Sequence, residues 1–260
     1  ITAAMKVSRR HFMGTAGAFA LAGGLFPSAA QAVSLMDPFN LPTAVDGGVM
    51  KMGDGIAYAG GPRGKLDVYV QQNPKGNAPV VMFIYGGGWS RGERWEYDFV
   101  GRALASRGFV TVIADYRLVP EVTYPAFLYD IAVAAKWVED NITTFGGNPD
   151  KLFLAGHSAG AYNAVMLGLD PTFLREAGST LKVRGIAGLA GPYDFYPFEF
   201  NEVREAFGYA PNPEGTQPVR LVTPSAPPMF LAAGNLDLIV KTDNTTALAA
   251  KLRENNVPVD

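Results

Sequence analysis

Ser158 lies in a segment whose pattern is typical of a catalytic nucleophile. Residues 156–160 read Gly-His-Ser-Ala-Gly, which fits G-x-S-x-G, and they stand between an apolar run at 152–155 and a helical pattern. In such a strand–turn–helix the serine sits in a strained bend, and the flanking glycines let strand and helix approach closely. The pattern therefore predicts that Ser158 attacks a carbonyl carbon. The plainer alternative is a glycine-rich turn whose serine caps the helix.

A second glycine-rich turn precedes this segment. Residues 85–89 read Tyr-Gly-Gly-Gly-Trp and follow an apolar run at 80–84. Consecutive glycines leave backbone N–H groups uncovered, so that a substrate carbonyl oxygen can reach them. One strand–helix–strand unit ahead of G-x-S-x-G, such a turn is expected to form an oxyanion loop. Taken alone, it would fit an ordinary loop equally well.

The elements that must position these turns alternate between strand and helix patterns. Period-two alternation and short apolar runs predict strands, and longer segments between them predict helices. The predicted strands span residues 66–70, 80–85, 109–114, 152–156, 185–190 and 229–233, and the predicted helices span 95–107, 125–141, 159–169 and 243–255. This alternation predicts an α/β fold with a largely parallel central sheet in three layers.

These motifs, in this order, resemble the hormone-sensitive-lipase-like branch of the α/β-hydrolase esterases. The resemblance covers roughly residues 64–260. Besides the two turns, the matching residues are Asp115-Tyr116-Arg117-Leu118, Pro120-Glu121, Pro125-Ala126, Asp130 and Asn148-Pro149-Asp150. The resemblance implies a three-layer α/β-hydrolase fold and a carboxylesterase that needs no metal or organic cofactor, with a small-molecule ester as substrate.

The resemblance also implies the roles of individual residues. The oxyanion hole is expected to consist of the amides of Gly87, Gly88 and Ala159. Tyr85 stands where the family usually has histidine, a departure that leaves these backbone donors intact. Asp115 is expected to pin loops near the site together with Arg117, rather than to act in catalysis.

Asp237 is the candidate acid of a Ser–Asp–His triad. It follows the predicted strand 229–233 in a segment similar to the family's G-x-x-D-x-x-V. A carboxylate there would orient the histidine and stabilise its protonated form. The local sequence alone also fits an aspartate in a surface turn. Asp194, after the strand pattern at 185–190, is the rival, which we interpret as a loop or pocket-wall residue.

The sequence provides no obvious general base. Its two histidines are His11 and His157. His157 neighbours the nucleophile on a tight turn, where adjacent side chains point apart, so we expect it to be packed or partly exposed rather than catalytic. In this fold the triad histidine follows the acid, after the strand that Val257 would begin. We therefore expect it beyond Asp260, and expect the chain to be a C-terminally truncated fragment that lacks its last strand and helix and catalyses poorly.

The N-terminal residues have the pattern of an export signal. Residues 8–13 read Ser-Arg-Arg-His-Phe-Met, which resembles the twin-arginine motif, and an apolar stretch and a small-residue run at 28–32 follow. We expect residues 1–32 to be a twin-arginine signal, 33–63 a short N-terminal segment or partial cap, and 64–260 the catalytic domain. The protein would then pass through the twin-arginine export machinery to the bacterial periplasm or the medium, without a stable membrane anchor.

Composition excludes several other classes. The chain has no cysteine, which excludes thiol nucleophiles, disulfides and Cys-ligated zinc, and two histidines are too few for a His-rich metal site. The net charge of −2 at pH 7 does not favour nucleic acid as a partner.

Three alternative functions stay open. The same motifs fit an amidase or formamidase of this fold. The absence of a triad histidine fits a non-catalytic binding protein. A lipase that acts at lipid interfaces would need an amphipathic lid, which the sequence does not indicate. The insertion at 192–228 contains seven aromatic residues between Tyr193 and Tyr209, which fit a substrate pocket and core packing equally well.

Overall fold

The computed structural model describes residues 48–235, 237 and 239–260. Within these residues, seven strands form one sheet in the order β1-β2-β4-β3-β5-β6-β7. The strands are β1 Val49–Ala57, β2 Lys65–Gln71, β3 Ala78–Ile84, β4 Val110–Ala114, β5 Gly147–His157, β6 Val183–Leu189 and β7 Met229–Ala232. The helices are α1 Asp98–Ala105, α2 Ala126–Asn141, α3 Ala159–Leu169, α4 Thr172–Glu176, α5 Asn201–Phe207 and α6 Thr242–Glu254. The predicted export signal, with His11, lies outside the described residues.

The centre of the sheet is parallel, as predicted. Strand β3 pairs in parallel with β4 and β5, and β6 continues the parallel pairing between β5 and β7. Among the described strands, the antiparallel pairs are β1 with β2 and β2 with β4. Parallel strands covered by helices on both faces are buried throughout, which explains their continuous apolar runs. The α/β fold class is confirmed.

The structure contains elements that the sequence did not predict. Strand β1 pairs at the sheet edge with two register shifts and alternates between exposed and half-buried residues, so it has no clear apolar face. In the insertion at 192–228, helix α5 has seven residues, too few for a clear helical period. The 64–260 boundary of the catalytic domain stays a prediction.

Helix α3 is the innermost helix. All of its residues except Gly168 are buried, which fits its nearly uniform apolar sequence. It begins directly after β5 and packs against the end of β3, where a Cβ on Gly160 would lie 2.0 Å from the carbonyl oxygen of Ile84. The two elements therefore approach closely enough that only glycine fits. None of the helices in the described ranges has the length and apolar character needed to cross a bilayer.

The last residues of the chain lie beside β7. Val259 forms a parallel bridge with Met229. The Met229 amide donates to the Pro258 carbonyl at 3.0 Å, and the Asp260 amide donates to the Met229 carbonyl at 3.1 Å. The extended conformation that the sequence predicted from Val257 is therefore present.

We expect Gly160→Ala to destabilise the fold, because the new methyl group would overlap the Ile84 carbonyl oxygen. Overpacking of this kind costs about 1–3 kcal/mol or more in the free energy of unfolding, measured by urea denaturation. Gly60→Ala is the control, because a Cβ there meets nothing within 4 Å. Equal stabilities of the two variants would contradict the close approach of α3 and β3.

Candidate active site

Ser158 occupies a strained bend between β5 and α3. Its backbone angles are φ 53° and ψ −123°, a region that residues with a side chain rarely adopt. Such strain costs about 1–3 kcal/mol and persists only where the surroundings enforce it. Here the Ser158 amide donates to the Leu189 carbonyl at 2.8 Å, which ties the bend to the end of β6. Ser158 itself is partly exposed, as a nucleophile must be.

The glycine loop 85–89 lies directly against this bend. A Cβ on Gly86 would lie 3.0 Å from the Cβ of Ser158 and 2.8 Å from the carbonyl oxygen of His157, so glycine is required there. Gly87 and Gly88, the next two residues, have positive φ angles of 128° and 60°. The two motifs that the sequence separates by some seventy residues therefore meet at the carboxyl ends of β3 and β5, where α/β folds bind ligands.

Three backbone amides at this junction are without an acceptor. Within the described residues, the N–H groups of Gly87, Gly88 and Ala159 donate no hydrogen bond. Ala159 is the first residue of α3, whose dipole favours negative charge at that end. These are the donors that the sequence analysis assigned to an oxyanion hole. That role stays a prediction, and the free amides are what it requires.

Asp237 follows β7 in a turn that fixes its carboxylate. The amides of Ile239 and Val240 both donate to Asp237 Oδ1 at 2.9 Å. The side chain is partly exposed, and its negative charge acts to raise the pKa of the His157 imidazole. Asp194, the rival acid, is exposed, and its amide donates to Asn244.

His157 is half-buried against the glycine loop, in agreement with the packed or partly exposed histidine that its place in the turn predicted. Its Nδ1 atom lies 3.4 Å from the Tyr97 hydroxyl. Burial lowers the pKa of His157, and the negative charge of Asp237 partly offsets this effect. The imidazole is thus held in an environment that favours its neutral form.

A buried group of charges lies beneath the glycine loop. Asp67 and Asp115 have exposed fractions of 0% and 1%. Arg94 bridges them, with Nε 2.8 Å from Asp67 Oδ1 and Nη1 2.6 Å from Asp115 Oδ2. Burial alone would lower the pKa of the Arg94 guanidinium, but its hydrogen bonds to the two carboxylates outweigh that effect and raise it. The charges satisfy one another in the interior, where an unpaired carboxylate would be costly.

The expected pairing of Asp115 with Arg117 is wrong. Arg117 is 43% exposed in its side chain and pairs with Asp130 on α2, with 2.6 Å between Nη2 and Oδ1. Asp115 turns inward at the end of β4, where Arg94 supplies both its amide and its guanidinium. Arg94 begins a 3-10 helix, Arg94–Tyr97. No sequence pattern relates this segment to Asp115, so the sequence alone could not identify Arg94 as its partner.

Tyr85 connects the glycine loop to these charges. Its hydroxyl donates to Asp115 Oδ1 at 3.0 Å and accepts from Arg63 Nη1 at 3.0 Å. The Tyr116 hydroxyl donates to the Tyr85 carbonyl at 2.9 Å. The residue that departs from the family's histidine therefore anchors the start of the loop. Arg63 was not predicted, because no motif marks it.

Four of the seven aromatic residues of the insertion, Tyr193, Phe195, Phe198 and Phe207, lie in the core or pack against it. Phe207 is fully buried, with its ring centroid 4.7 Å from that of Trp89. Phe195 stacks on Trp89 at 6.1 Å, and Tyr193 is also buried. Tyr196, Phe200 and Tyr209 are exposed. Of the two explanations left open by the sequence, core packing accounts for these buried rings.

Metal ligation finds no support in the described ranges, which contain no group of three His, Asp or Glu side chains arranged to hold an ion. The polar groups at the junction are instead a hydroxyl, free amides and a carboxylate. This set suits acyl transfer, in which charge develops on a carbonyl oxygen.

The chain is similar to known proteins in both sequence and structure. Residues 66–252 match the family BD-FAE. Esterase LipC of Mycobacterium tuberculosis is 29% identical over 219 residues, which cover 76% of this chain and 54% of LipC. The isoprenylcysteine alpha-carbonyl methylesterase ICME of Arabidopsis thaliana is 33% identical over 54% of this chain and 34% of its own length. The chain thus spans about half or less of the length of these curated relatives.

A solved structure shares the fold. Esterase B from Lactobacillus rhamnosis superposes with a TM-score of 0.75 at 20% sequence identity, covering 86% of this chain and 77% of the esterase. At this identity the likeness concerns the fold alone. Together with the sequence matches, it confirms the resemblance to the α/β-hydrolase esterases of the hormone-sensitive-lipase-like branch.

We expect Arg94→Leu to lower the free energy of unfolding by about 3–5 kcal/mol, because it leaves a buried carboxylate without its countercharge. Urea denaturation measures the change. Lys251→Leu is the matched control, since its partner Glu254 and Lys251 itself are 63% and 47% exposed in their side chains. That pair is expected to contribute less than about 1 kcal/mol. If Arg94→Leu lowered the free energy of unfolding as little as Lys251→Leu, the buried ion pairs of Arg94 would not be needed for stability.

We expect the free energy of unfolding to decrease as the pH is lowered, partly because of His157. Because burial lowers its pKa in the folded state, the unfolded chain binds a proton below about pH 6.5 that the folded chain resists. His157→Gln should therefore reduce the loss of stability between about pH 6.5 and 5, by at most about 1.4 kcal/mol per pH unit. Urea midpoints at several pH values measure the slope. Parallel curves for the two proteins would contradict the burial of a neutral imidazole.

Proposed function

The chain belongs to the BD-FAE family, and from this premise we propose that it is a serine hydrolase that cleaves carboxylic esters. The relatives named above are esterases, which supports ester hydrolysis as the reaction. The observation that carries the proposal is the contact between the glycine loop and the strained bend at Ser158. This contact brings a hydroxyl and free amides together at one point of the surface.

The proposed reaction proceeds through an acyl-enzyme. Ser158 Oγ forms a bond to the ester carbonyl carbon while its proton passes to a general base. The carbonyl oxygen becomes an oxyanion that accepts hydrogen bonds from the amides of Gly87, Gly88 and Ala159. Collapse of the tetrahedral intermediate expels the alcohol, which takes the proton from the base. Water then attacks the acyl-enzyme in the same way and releases the carboxylic acid.

The general base in this proposal is a histidine that follows Asp260. His157 is the sole histidine within the described ranges, and its Nδ1 faces the Tyr97 hydroxyl. The carboxylate of Asp237 suits the orienting role, because two amides hold Oδ1 and the side chain remains partly exposed toward a partner. The reading frame of the gene downstream of codon 260 tests this part directly, and a stop codon there would refute it.

We also propose export through the twin-arginine machinery, on the basis of residues 8–13 and the apolar stretch that follows. The esterase would then act outside the cytoplasm. Cell fractionation tests the proposal, and a cytoplasmic product of unprocessed size would refute it.

We expect Ser158→Ala, made in the protein expressed to the natural stop codon of its gene, to reduce ester hydrolysis at least about a thousandfold. The reason is that no acyl-enzyme can form without the hydroxyl. Initial rates with p-nitrophenyl acetate and butyrate measure the effect, and a parallel panel of anilides and formamides distinguishes an amidase. Equal rates for wild type and variant would remove Ser158 from the reaction.

We expect Asp237→Asn to lower kcat by about 10⁴-fold, because the amide no longer stabilises the protonated histidine. Asp194→Asn is the matched control, since Asp194 is exposed in the loop after β6. It should leave kcat within about twofold of wild type, as surface substitutions usually do. If Asp194→Asn is the damaging variant instead, the assignment of the acid must be reversed.

A further inference from the structure

We propose that Asn163 is a positioning residue for the oxyanion loop, acting through the indole of Trp89. The inference rests on the proposed function, because it assigns a residue that prepares the same site. Trp89 directly follows Gly88, and its Nε1 donates to Asn163 Oδ1 at 3.0 Å. Both side chains are buried, with exposed fractions of 2% and 0%.

The backbone of Trp89 explains why its side chain needs an anchor. Its φ is +59°, an unfavourable value for a bulky residue. The Trp89 carbonyl accepts from the Val119 amide at 2.9 Å, so the segment between β4 and α2 holds the loop as well. The orientation of the Gly87 and Gly88 amides therefore depends on a conformation that must be enforced by contacts beyond the loop.

The anchor lies on the helix that Ser158 opens. Asn163 is in α3, whose first residue, Ala159, carries the third predicted oxyanion donor. The Trp89–Asn163 hydrogen bond thus joins the loop with two donors to the helix with the nucleophile and the remaining donor. A shift of the loop relative to α3 would move the donors away from the developing charge, and displacements of about 1 Å can cost a hundredfold in rate.

Ring packing alone does not fix the indole as tightly. Tyr162 and Phe207 meet it edge-to-face, with interplanar angles of 87° and 85°, and Phe195 stacks on it with an interplanar angle of 22°. Aromatic pairs of both kinds are favourable over a range of centroid distances of about 4.5–7 Å, so they restrict the indole less narrowly. A directed hydrogen bond selects one orientation of the indole among these.

The pair also has a cost that argues against a purely structural role. Asn163 Nδ2 is buried and has no hydrogen-bond partner within the described residues. An unsatisfied buried amide lowers stability, and replacing both members of such a pair by apolar groups of similar shape can be nearly neutral. Asn163→Leu alone releases the indole but leaves the buried Trp89 Nε1–H without an acceptor, so it should lower the thermal midpoint. The double variant Trp89→Phe/Asn163→Leu removes both partners and should lower the midpoint less.

The experiment compares three variants in the protein expressed to its natural stop codon. Asn163→Leu removes the acceptor at similar volume, and Trp89→Phe removes the donor but keeps an aromatic ring. Tyr162→Phe is the matched control. It keeps the ring of the neighbouring residue of α3 and removes only the buried hydrogen bond from the Tyr162 hydroxyl to the Thr216 carbonyl, 2.8 Å away. This hydrogen bond does not involve the loop. The double variant Trp89→Phe/Asn163→Leu tests whether the two residues act as a unit.

We expect Asn163→Leu and Trp89→Phe each to lower kcat for p-nitrophenyl acetate by about 10- to 100-fold, with KM changed less than about threefold. The double variant should lose no more than the worse single variant, and affinity for an alkylboronic acid, which mimics the tetrahedral intermediate, should fall in parallel with kcat. Tyr162→Phe should stay within about twofold of wild type. Unchanged kcat in Asn163→Leu, or equal loss in Tyr162→Phe, would overturn the proposal.

A readout that does not depend on catalysis separates this inference from the proposed function. In ¹H–¹⁵N spectra, the amide signals of Gly87 and Gly88 should shift or broaden in Asn163→Leu and remain in place in Tyr162→Phe. If the spectra behave so while Ser158→Ala retains full activity, the positioning stands and the proposed function fails. If Ser158→Ala is inactive but the glycine signals do not respond to Asn163→Leu, the positioning inference fails alone.

Discussion

The site depends on how closely helix α3 approaches the end of β3. The missing side chain at Gly160 allows this approach, since a Cβ there would overlap the carbonyl oxygen of Ile84. Because Gly86 follows β3 and Ser158 precedes α3, the same approach brings the glycine loop against the strained bend. A slightly larger separation would leave the hydroxyl and the free amides on unconnected parts of the surface. The strained backbone conformation of Ser158 persists only because the surrounding sheet and helix are buried and hold it in place.

Two different kinds of contact hold the glycine loop in place. At its start, Tyr85 is tied by hydrogen bonds to Asp115 and Arg63, and thus to the buried charges around Arg94. At its end, Trp89 is enclosed by aromatic rings from α3 and the insertion. Between these anchors, the amides of Gly87 and Gly88 donate to no acceptor within the described part of the chain. Preorganised donors of this kind stabilise charge without having to reorganise during the reaction.

The insertion at 192–228 contributes to this arrangement through its packing. Its buried rings close the hydrophobic cluster around Trp89, so that a segment outside the sheet supports a loop at the end of β3. The aromatic content of the insertion was evident from the sequence, but the direction in which each ring points was not. Whether a ring faces the core or a substrate depends on the path of the chain, which local patterns do not encode.

The sequence alone determined the order of strands and helices, the parallel centre of the sheet and the two turns that meet at the site. Continuous apolar runs and glycine spacing reflect local physical requirements, namely burial on both faces and tight turns. The tertiary structure alone decided which charges pair. Asp115 meets Arg94 rather than Arg117 because a buried carboxylate takes the countercharge that the fold brings to it, whatever its distance along the chain. The edge strand β1 and the short helix α5 likewise exist through pairing and packing, since their own patterns are too weak to specify them.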